Sequence, residues 1–535
     1  MKILLINPPV SRPSNISDET MRLTPMFPLG LAYLSSYLKS KGHEIVIIDA
    51  LLSNDFQKGF YENGRIRYGL SDNTLKKEME LIDPDVIGVT CLFSSAEWDA
   101  RNIARISKEV NPKIKVFLGG VHATVSSRFI IEKDRNVDGI IKGEGEESFA
   151  NLVELIESNS ESYEKIDGVC IRRGNEIIDT PKLRFISDLD KIPLPDRTIF
   201  DFKKYLTEGA AHSNFKQTPF TQMVSSRGCP FTCTFCSLIH ANGLKYRMRS
   251  ARAVVDEIRT LVFDWGVKEI HFEDDNLTAD KERFLEICKG IKSLDANITL
   301  NAPTGLAVAH LDEEILDAMK ETGFYSICMG IESGDEYVLK KLMRKPVKLS
   351  KIEPLIRHME KIDLESRGFF ILGFPGETEE TIKRTVAFAK GLKLDWTYFF
   401  LFTPHPGTEI YNTCVENKYI DPDEYDTNTY NYRFSILKNQ AFSKEWLENF
   451  KENAIVDLNF TNNPNLLRGN YLRAIEHIGS VVKNYPSFDF AKFSLGEGYL
   501  GKGDIANAIK LWEETLKLNP LHQAATERLK QYKNY

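Results

Sequence analysis

The first 150 residues alternate short apolar runs with segments of helical periodicity. Lys2-Ile-Leu-Leu-Ile6 is a run of strand type, closed by Asn7-Pro8-Pro9. From Phe27 to Gly42 apolar residues recur at helical spacing, with Pro28 and Gly30 near the start and Gly42 where a C-terminal cap falls. Glu44–Asp49, Val86–Thr90, Lys115–Gly120 and Gly139–Ile141 read as further strands, with a helix through Ala96–Val110. Strands that alternate with helices imply right-handed crossovers and a parallel sheet. The pattern predicts an α/β fold, a Rossmann-like (flavodoxin-like) domain over residues 1–150. Ligands of such sheets sit at the carboxyl ends of the strands. The turns there are Asn7-Pro8-Pro9, Gly119-Gly120-Val121-His122 and Lys142-Gly143-Glu144-Gly145-Glu146. No Gly-x-Gly-x-x-Gly follows the first strand and there is no Walker lysine motif, so phosphate-cradling readings are weak.

Residues 151–214 mix polar runs with short strand-like pieces such as Gly168–Arg172, and Pro193-Leu-Pro195 is a stiff break; this span reads as a linker. A second rhythm then begins. Thr221–Ser225, Lys268–Phe272, Ile298–Leu300, Tyr325–Gly330, Arg367–Gly373 and Trp396–Leu401 read as six strands, most followed by a helical segment. Six strand–helix units predict a partial (β/α)6 barrel within residues 215–445. After residue 460 an internal repeat appears: Gly469–Ile475 aligns with Gly503–Ile509, and Pro486 with Pro520, at a period of 34. That period belongs to tetratricopeptide-like helical repeats, expected over 460–535. About two repeats are fewer than stand alone well, so they are expected to pack on the catalytic domain or to bind a protein partner.

Composition narrows the class. A chain of 535 residues suggests several domains, and 42% hydrophobic with 27% charged residues is a globular balance. The net charge of −7 argues against nonspecific nucleic-acid binding, which draws on a basic face. No apolar run has membrane-spanning length, and the N-terminal run is too short for a signal peptide. Cys91, Cys170, Cys288, Cys328 and Cys414 are scattered, as reduced buried thiols would be, which points to a cytoplasmic location.

The other three cysteines are not scattered. Cys229, Cys233 and Cys236 fall within eight residues, spaced C-x3-C-x2-C. Thiolates are soft ligands suited to iron–sulfur clusters, zinc or Cu(I). A four-iron cluster normally takes one thiolate per iron, so three close cysteines would leave one iron open. A structural zinc site would want a second close pair, which the chain lacks. A zinc knuckle or a chance grouping of core cysteines is the plainer reading of the same residues.

Ser226-Arg-Gly-Cys-Pro-Phe-Thr-Cys-Thr-Phe-Cys236 resembles the cluster loop of radical S-adenosylmethionine (SAM) enzymes. The resemblance implies a [4Fe–4S] cluster on the three cysteines whose open iron is chelated by SAM. It further implies reductive cleavage of SAM to methionine and a 5′-deoxyadenosyl radical, with an electron donor such as flavodoxin or ferredoxin. By the same resemblance Phe235 lies against the adenine, Glu273, Asp274 and Asp275 receive the SAM amino group, and Glu332 and Ser333 contact the ribose and carboxylate. Arg344 or Lys341 pairs with the carboxylate, and Ile371, Gly373 and Phe374 form the adenine segment. Tyr398, Phe400, His405 and Tyr411 are candidates to face the substrate, although aromatics are more often core.

The N-terminal turns carry a second resemblance. Asn7-Pro-Pro, Pro28-Leu-Gly-Leu-Ala-Tyr-Leu, Gly42-His-Glu and Gly119-Gly-Val-His-Ala123 are similar to the cobalamin-binding domain joined to many radical SAM enzymes. The implied corrin contacts are Pro8, Leu29, Gly30, Gly119, Gly120, His122, Gly143 and Glu144. The chain lacks the Asp-x-His-x-x-Gly of domains that ligate cobalt through histidine, so His122 is expected to be a loop residue and not a cobalt ligand. Glu144-Gly-Glu-Glu147 is equally a solvated acidic turn at a helix start, where carboxylates suit the dipole. Together the resemblances imply a cobalamin-dependent radical SAM enzyme that methylates an unactivated carbon of a small molecule, lipid or peptide. A non-methylating enzyme with the same cofactors, an enzyme whose N-terminal domain is only a scaffold, and an adaptor with a degenerate metal site are the alternatives.

Overall fold

The computed structural model describes residues 1–14, 25–52, 57–60, 65–209, 215–422, 434–438 and 440–532. The chain forms two compact units. One comprises Met1–Ile327 with Met343–Pro346 and Thr403–Asn431; the other comprises Cys328–Leu342, Val347–Phe402 and Tyr432–Tyr535.

The first unit is built on a seven-stranded sheet in the order Glu176–Asp179, Val169–Arg173, Gly139–Ile141, Lys115–Gly119, Val86–Thr90, Lys2–Asn7, Glu44–Asp49. The five strands from Glu44–Asp49 to Gly139–Ile141 run parallel, as the alternating pattern predicts. Their side chains are buried on both faces, Ile3 to Ile6 without exposure, because helices cover the sheet. The last two strands run antiparallel. They fall within 151–214, so the span read as a linker extends the sheet by a hairpin. Its turn needs Gly174 at a φ of +59°, and its outer strand has only Ile177 and Ile178 between the exposed Glu176 and Asp179, so it carries little apolar signal. A small antiparallel sheet, Val10–Pro13, Arg65–Gly69 and Gln57–Phe60, was not legible in the pattern.

Further along the same unit, Phe220–Met223, Glu269–Phe272 and Thr299–Asn301 form a parallel three-stranded sheet. The helices Ala251–Phe263 and Lys281–Ser293 follow its first two strands. Ser250 and Asp280 cap them by accepting from Ala253 N and Arg283 N. Immediately after the first strand, Ser226–Arg227 pairs antiparallel with Arg247–Met248, and the cysteine loop lies between these two short strands.

The second unit holds a three-stranded sheet in the order Ser326–Glu332, Glu365–Leu372, Trp396–Leu401. Its C-terminal helices Tyr471–Asn484, Asp489–Gly501, Ile505–Leu518 and Gln523–Tyr532 bury small and large residues at matched places. Ala474 and Ala508, Ile478 and Trp512, Ala491 and Ala525, and Leu495 and Leu529 are each buried and 34 apart, the period of the sequence repeat. Gly496 allows the close approach, since a Cβ there would stand 2.5 Å from Trp512 Nε1.

These helices are tied to the sheet by polar groups. Asp395, at the head of Trp396–Leu401, accepts from Ser366 N at 2.8 Å and from Arg468 Nη2 at 3.0 Å, with Arg473 Nη1 at 3.5 Å. Asn459 exchanges two hydrogen bonds with the Thr397 backbone, and His477 Nε2 stands 2.9 Å from Glu365 Oε1. Asp395→Ala strands the buried Ser366 amide and leaves Arg468 and Arg473 only their exposed partners, Glu360 and Asp363. Removing one partner of a buried pair costs about 3–5 kcal/mol. The expected result is a lower unfolding temperature together with faster proteolysis within 460–532, read by calorimetry and timed digestion; an unchanged pattern contradicts the seam.

Candidate functional site

The first unit contains a cavity of about 550 Å³ at the carboxyl ends of the parallel strands. The strand ends at Gly88–Thr90, Leu118–Gly120 and Ile141–Glu146 line one side, and the helix starting at Leu29 lines another. Glycines shape this wall in two ways. Gly120 sits at a φ of +110°, and a Cβ would meet the Cys91 carbonyl at 2.8 Å, so the backbone itself demands glycine. Gly30, Gly119 and Gly145 are not at positive φ; a Cβ at Gly30 meets nothing within 4 Å, and at the other two nothing nearer than 3.8 Å. Gly30 and Gly145 lie in helix first turns, where glycine costs roughly 1 kcal/mol against alanine. The protein's own packing does not require these glycines, so they keep room for a ligand. Leu92 and Phe93 line the same space and are 45% and 56% exposed, an apolar surface that a flat ligand would cover.

Of the expected corrin contacts, Leu29, Gly30, Gly119, Gly120, Gly143 and Glu144 line the cavity. Pro8 and His122 do not. Pro8 is buried just beyond the first strand. His122 lies in the short helix Val121–Val125, not in a loop, and is buried. Its Nε2 is 2.8 Å from Glu97 Oε2 and its Nδ1 is 2.9 Å from Ser94 Oγ, so both ring nitrogens are engaged within the protein. Glu144 is no solvated turn. Its Oε1 accepts from Arg247 Nη1 at 2.6 Å and Arg227 Nη1 at 3.2 Å, and its Oε2 from Ile186 N at 2.9 Å. Burial works against the Glu146 carboxylate, but Arg227 at 2.8 Å outweighs it and holds its pKa below the usual range.

The cysteine loop is held by its backbone. Cys229 N donates to Gly243 O at 3.3 Å, Cys236 N to Cys233 O at 3.2 Å, and Thr234 N to Met343 O at 3.0 Å. Gly228 turns at a φ of +88° against the carbonyls of Asn242, Gly243 and Lys245. None of the eight cysteines is in a disulfide. Three thiols on one short loop are the right donor set for a cluster that takes three protein thiolates. The spacing leads one to expect converging sulfurs, yet among the described residues no three His, Cys, Asp or Glu side chains gather into a metal-holding group. Neutral thiols have no attraction that would gather them, whereas thiolates share a site when a metal cation lies between them. Burial pushes the Cys236 thiol up to about 11 and raises Cys229 as well, so ligation must expel protons. Lys345 places its ammonium 6.0 Å from the centre of the Phe235 ring.

The acidic run after Glu269–Phe272 divides by role. Asp274 is buried and its Oδ1 accepts from Ser225 Oγ at 2.7 Å and Ser226 Oγ at 2.5 Å, while Ser225 N donates to both oxygens. Asp275 Oδ2 accepts from Gly228 N and Asn242 Nδ2, each at 2.8 Å. Burial raises both carboxyls. Asp274 thus anchors the strand end that leads into the loop. All three acids border the cavity, Glu273 among them.

Arg344 sits at a φ of +49° and pairs with Glu409, both side chains largely exposed, as a surface ion pair. In the second unit, Glu332 ends its strand at a φ of +68° and is buried. Ser333 Oγ lies 2.9 Å from Thr385 Oγ1 and accepts from Asp335 N. Ile371 is on the half-buried face of its strand, and Gly373 is at a φ of +79°. Phe374 is fully buried against Phe402, ring centres 4.7 Å apart, so its ring is core and only its backbone is left to meet an adenine. His405 is pushed down to about 4 by burial, with His122 adding to the shift, and is neutral at pH 7. The pattern missed Arg227, Arg247, Glu146 and Lys345. Arg227 directly precedes the Gly228–Cys229 turn, and the alternating carboxylates of Glu144-Gly-Glu146 were the other available signal.

Comparison with known proteins agrees with this geometry. Residues 223–389 match the radical SAM superfamily model and residues 22–153 the B12-binding domain model. A cytidylyl-2-hydroxyethylphosphonate methyltransferase of Streptomyces wedmorensis is 31% identical over 463 residues, 79% of this chain and 83% of the relative. An uncharacterized methyltransferase of Pyrococcus horikoshii is 30% identical over 483 residues, 90% and 96% of the two chains. The cobalamin-dependent radical SAM enzyme OxsB, solved with aqua-cobalamin bound, shares the fold: TM-score 0.64, 14% identity, 99% of this chain and 80% of that one. The enzyme's cofactors are accordingly a [4Fe–4S] cluster, SAM and cobalamin. Gly119→Leu fills the cavity from a strand whose packing tolerates it. The variant is expected to keep its circular dichroism and lose most of the corrin absorbance that co-purifies with the wild type; full corrin retention contradicts the assignment of this cavity. The chain belongs to the family of radical SAM enzymes that carry a B12-binding domain.

Proposed function

We propose that this enzyme methylates an unactivated carbon of a small molecule, lipid or peptide, with its cluster on Cys229, Cys233 and Cys236. One observation carries the reading. A single cavity within one unit has sheet-end glycines on one wall and the Ser226–Arg227 strand with the Glu273–Asp275 run on another. Bound there, the cluster and SAM supply the radical and cobalamin supplies the methyl group.

The chain's own residues place and hold. Gly30, Gly119 and Gly145 make room for the corrin, and Leu92 and Phe93 exclude water beside it. Glu273 receives the SAM ammonium, while Asp274 and Asp275 fix Ser225, Ser226 and Gly228 so that the loop stands at a set position. Lys345, over Phe235, replaces Arg344 as the partner of the carboxylate. Glu332, Ser333, Ile371 and the backbone of Gly373 and Phe374 retain the ribose and adenine roles that the family resemblance gives them. Placement of this kind is where a protein contributes most to a reaction between bound groups.

The finer architecture belongs to the same proposal. The six strands are those of a partial (β/α)6 barrel, and the buried positions recurring every 34 residues are those of tetratricopeptide-like repeats. Their polar seam with the sheet favours packing over recruitment of a protein partner. A cytoplasmic flavodoxin or ferredoxin supplies the electron. No helix among the described residues is long and apolar enough to cross a membrane. The relative from Streptomyces wedmorensis is named for cytidylyl-2-hydroxyethylphosphonate, which supports a small-molecule acceptor here.

The test is anaerobic turnover of reconstituted enzyme with SAM and reductant. Mass spectrometry should find 5′-deoxyadenosine, S-adenosylhomocysteine and an acceptor heavier by one methylene. Cys233→Ala is expected to bring deoxyadenosine down to the level without enzyme, and undiminished formation in that variant rejects the cluster assignment. An acceptor changed without the added methylene rejects methyl transfer.

A further inference from the structure

Four charges, three buried and Arg227 partly so, join the corrin side of the cavity to the cysteine loop. Ser226–Arg227 pairs with Arg247–Met248 so that Arg227 and Arg247 stand directly opposite each other. Like charges in that relation are destabilising unless compensated. The compensation comes from another part of the unit. Glu144 and Glu146 begin the helix Gly145–Glu157, where the N-terminal dipole favours carboxylates. Glu144 accepts from both arginines and Glu146 from Arg227, making two positive and two negative charges. Arg227 also lies over the Tyr33 ring, 5.3 Å from its centre, on the helix Leu29–Ser40. Tyr33, Glu144, Glu146 and Arg227 all border the cavity.

Arg227 stands two positions before Cys229. Gly228 between them donates its N–H to Asp275, so the entry to the loop is gripped on both sides. A ligand that fills the cavity covers the part of Arg227 still open to water, 13% of its side chain, and so lowers the dielectric around its contacts with Glu144 and Glu146. Ion pairs strengthen as the surrounding dielectric falls. The loop entry is then held more firmly whenever the cavity is filled, and a loop fixed by a cluster presents the same wall preformed to the incoming ligand.

We propose that Arg227 is a positioning residue that couples the two cofactor sites through Glu146, so that bound cobalamin stabilises the iron–sulfur cluster and the cluster in turn tightens cobalamin. The proposal rests on the cofactor assignment above. Coupling between two binding sites is reciprocal, and typical values lie between 5- and 150-fold.

The experiment measures iron loss to a ferrous chelator from the full-length reconstituted protein, with and without bound hydroxocobalamin. In the wild type, cobalamin is expected to slow iron loss about tenfold, within the usual range of such couplings. In Glu146→Gln both cofactors still load, and the ratio of rates falls towards one; Arg227→Lys, which keeps the charge, retains part of it. Equal rates in the wild type, or an undiminished ratio in Glu146→Gln, overturn the coupling. A second measurement does not depend on that variant folding. Hydroxocobalamin titrated into cluster-loaded wild type should bind tighter than into Cys233→Ala by the same factor, and equal affinities overturn the proposal. Failure of the wild type to take up cobalamin or a cluster at all would instead overturn the cofactor assignment.

Discussion

The site depends on one constraint: a short loop that must present three thiols has almost no core of its own and has to be held from outside. Charge and hydrogen bonding do this. Asp274 gathers Ser225 and Ser226, Asp275 takes Gly228 N, and Arg227 is locked between Glu144 and Glu146. Each of these groups is removed from water, so each is valuable when partnered and destabilising when not. Net neutrality among Arg227, Arg247, Glu144 and Glu146 is what permits two opposed arginines at the foot of the loop.

The cavity works by the opposite logic. Its walls are built from what is left out. Gly30 faces open space, a Cβ at Gly119 or Gly145 would meet nothing nearer than 3.8 Å, and Leu92 and Phe93 stand exposed beside them. An apolar hollow bordered by a fixed polar edge suits a large ligand that needs shape and exclusion of water more than a directional bond. His122, with both ring nitrogens engaged by Glu97 and Ser94, strengthens the wall from behind and takes no part in the hollow.

Several residues with the right chemistry are also engaged with the chain itself. Asp274, Phe374 and Arg344 carry the groups expected of ligand contacts, but the first anchors a strand end, the second fills core, and the third sits in an exposed ion pair. Lys345, one residue from Arg344, is the cation beside Phe235. A motif names a neighbourhood of a few residues, and the backbone within it selects which side chain turns inward.

Much of the plan was legible along the chain because its signals are local. Five parallel strands, the glycine turns at their ends, the cysteine spacing and the 34-residue period each arise from neighbours in sequence, through side-chain periodicity and glycine's freedom at positive φ. The antiparallel hairpin at the sheet edge escaped because its outer strand offers only Ile177 and Ile178 between two exposed acids, a short apolar signal. The pairing of Glu144 and Glu146 with Arg227 and Arg247 escaped for a deeper reason. Those partners lie 81 to 103 positions apart, and a carboxylate at a helix start reads the same whether it meets water or a guanidinium. The energy of a charge is set by what surrounds it, and only the folded chain supplies the surroundings.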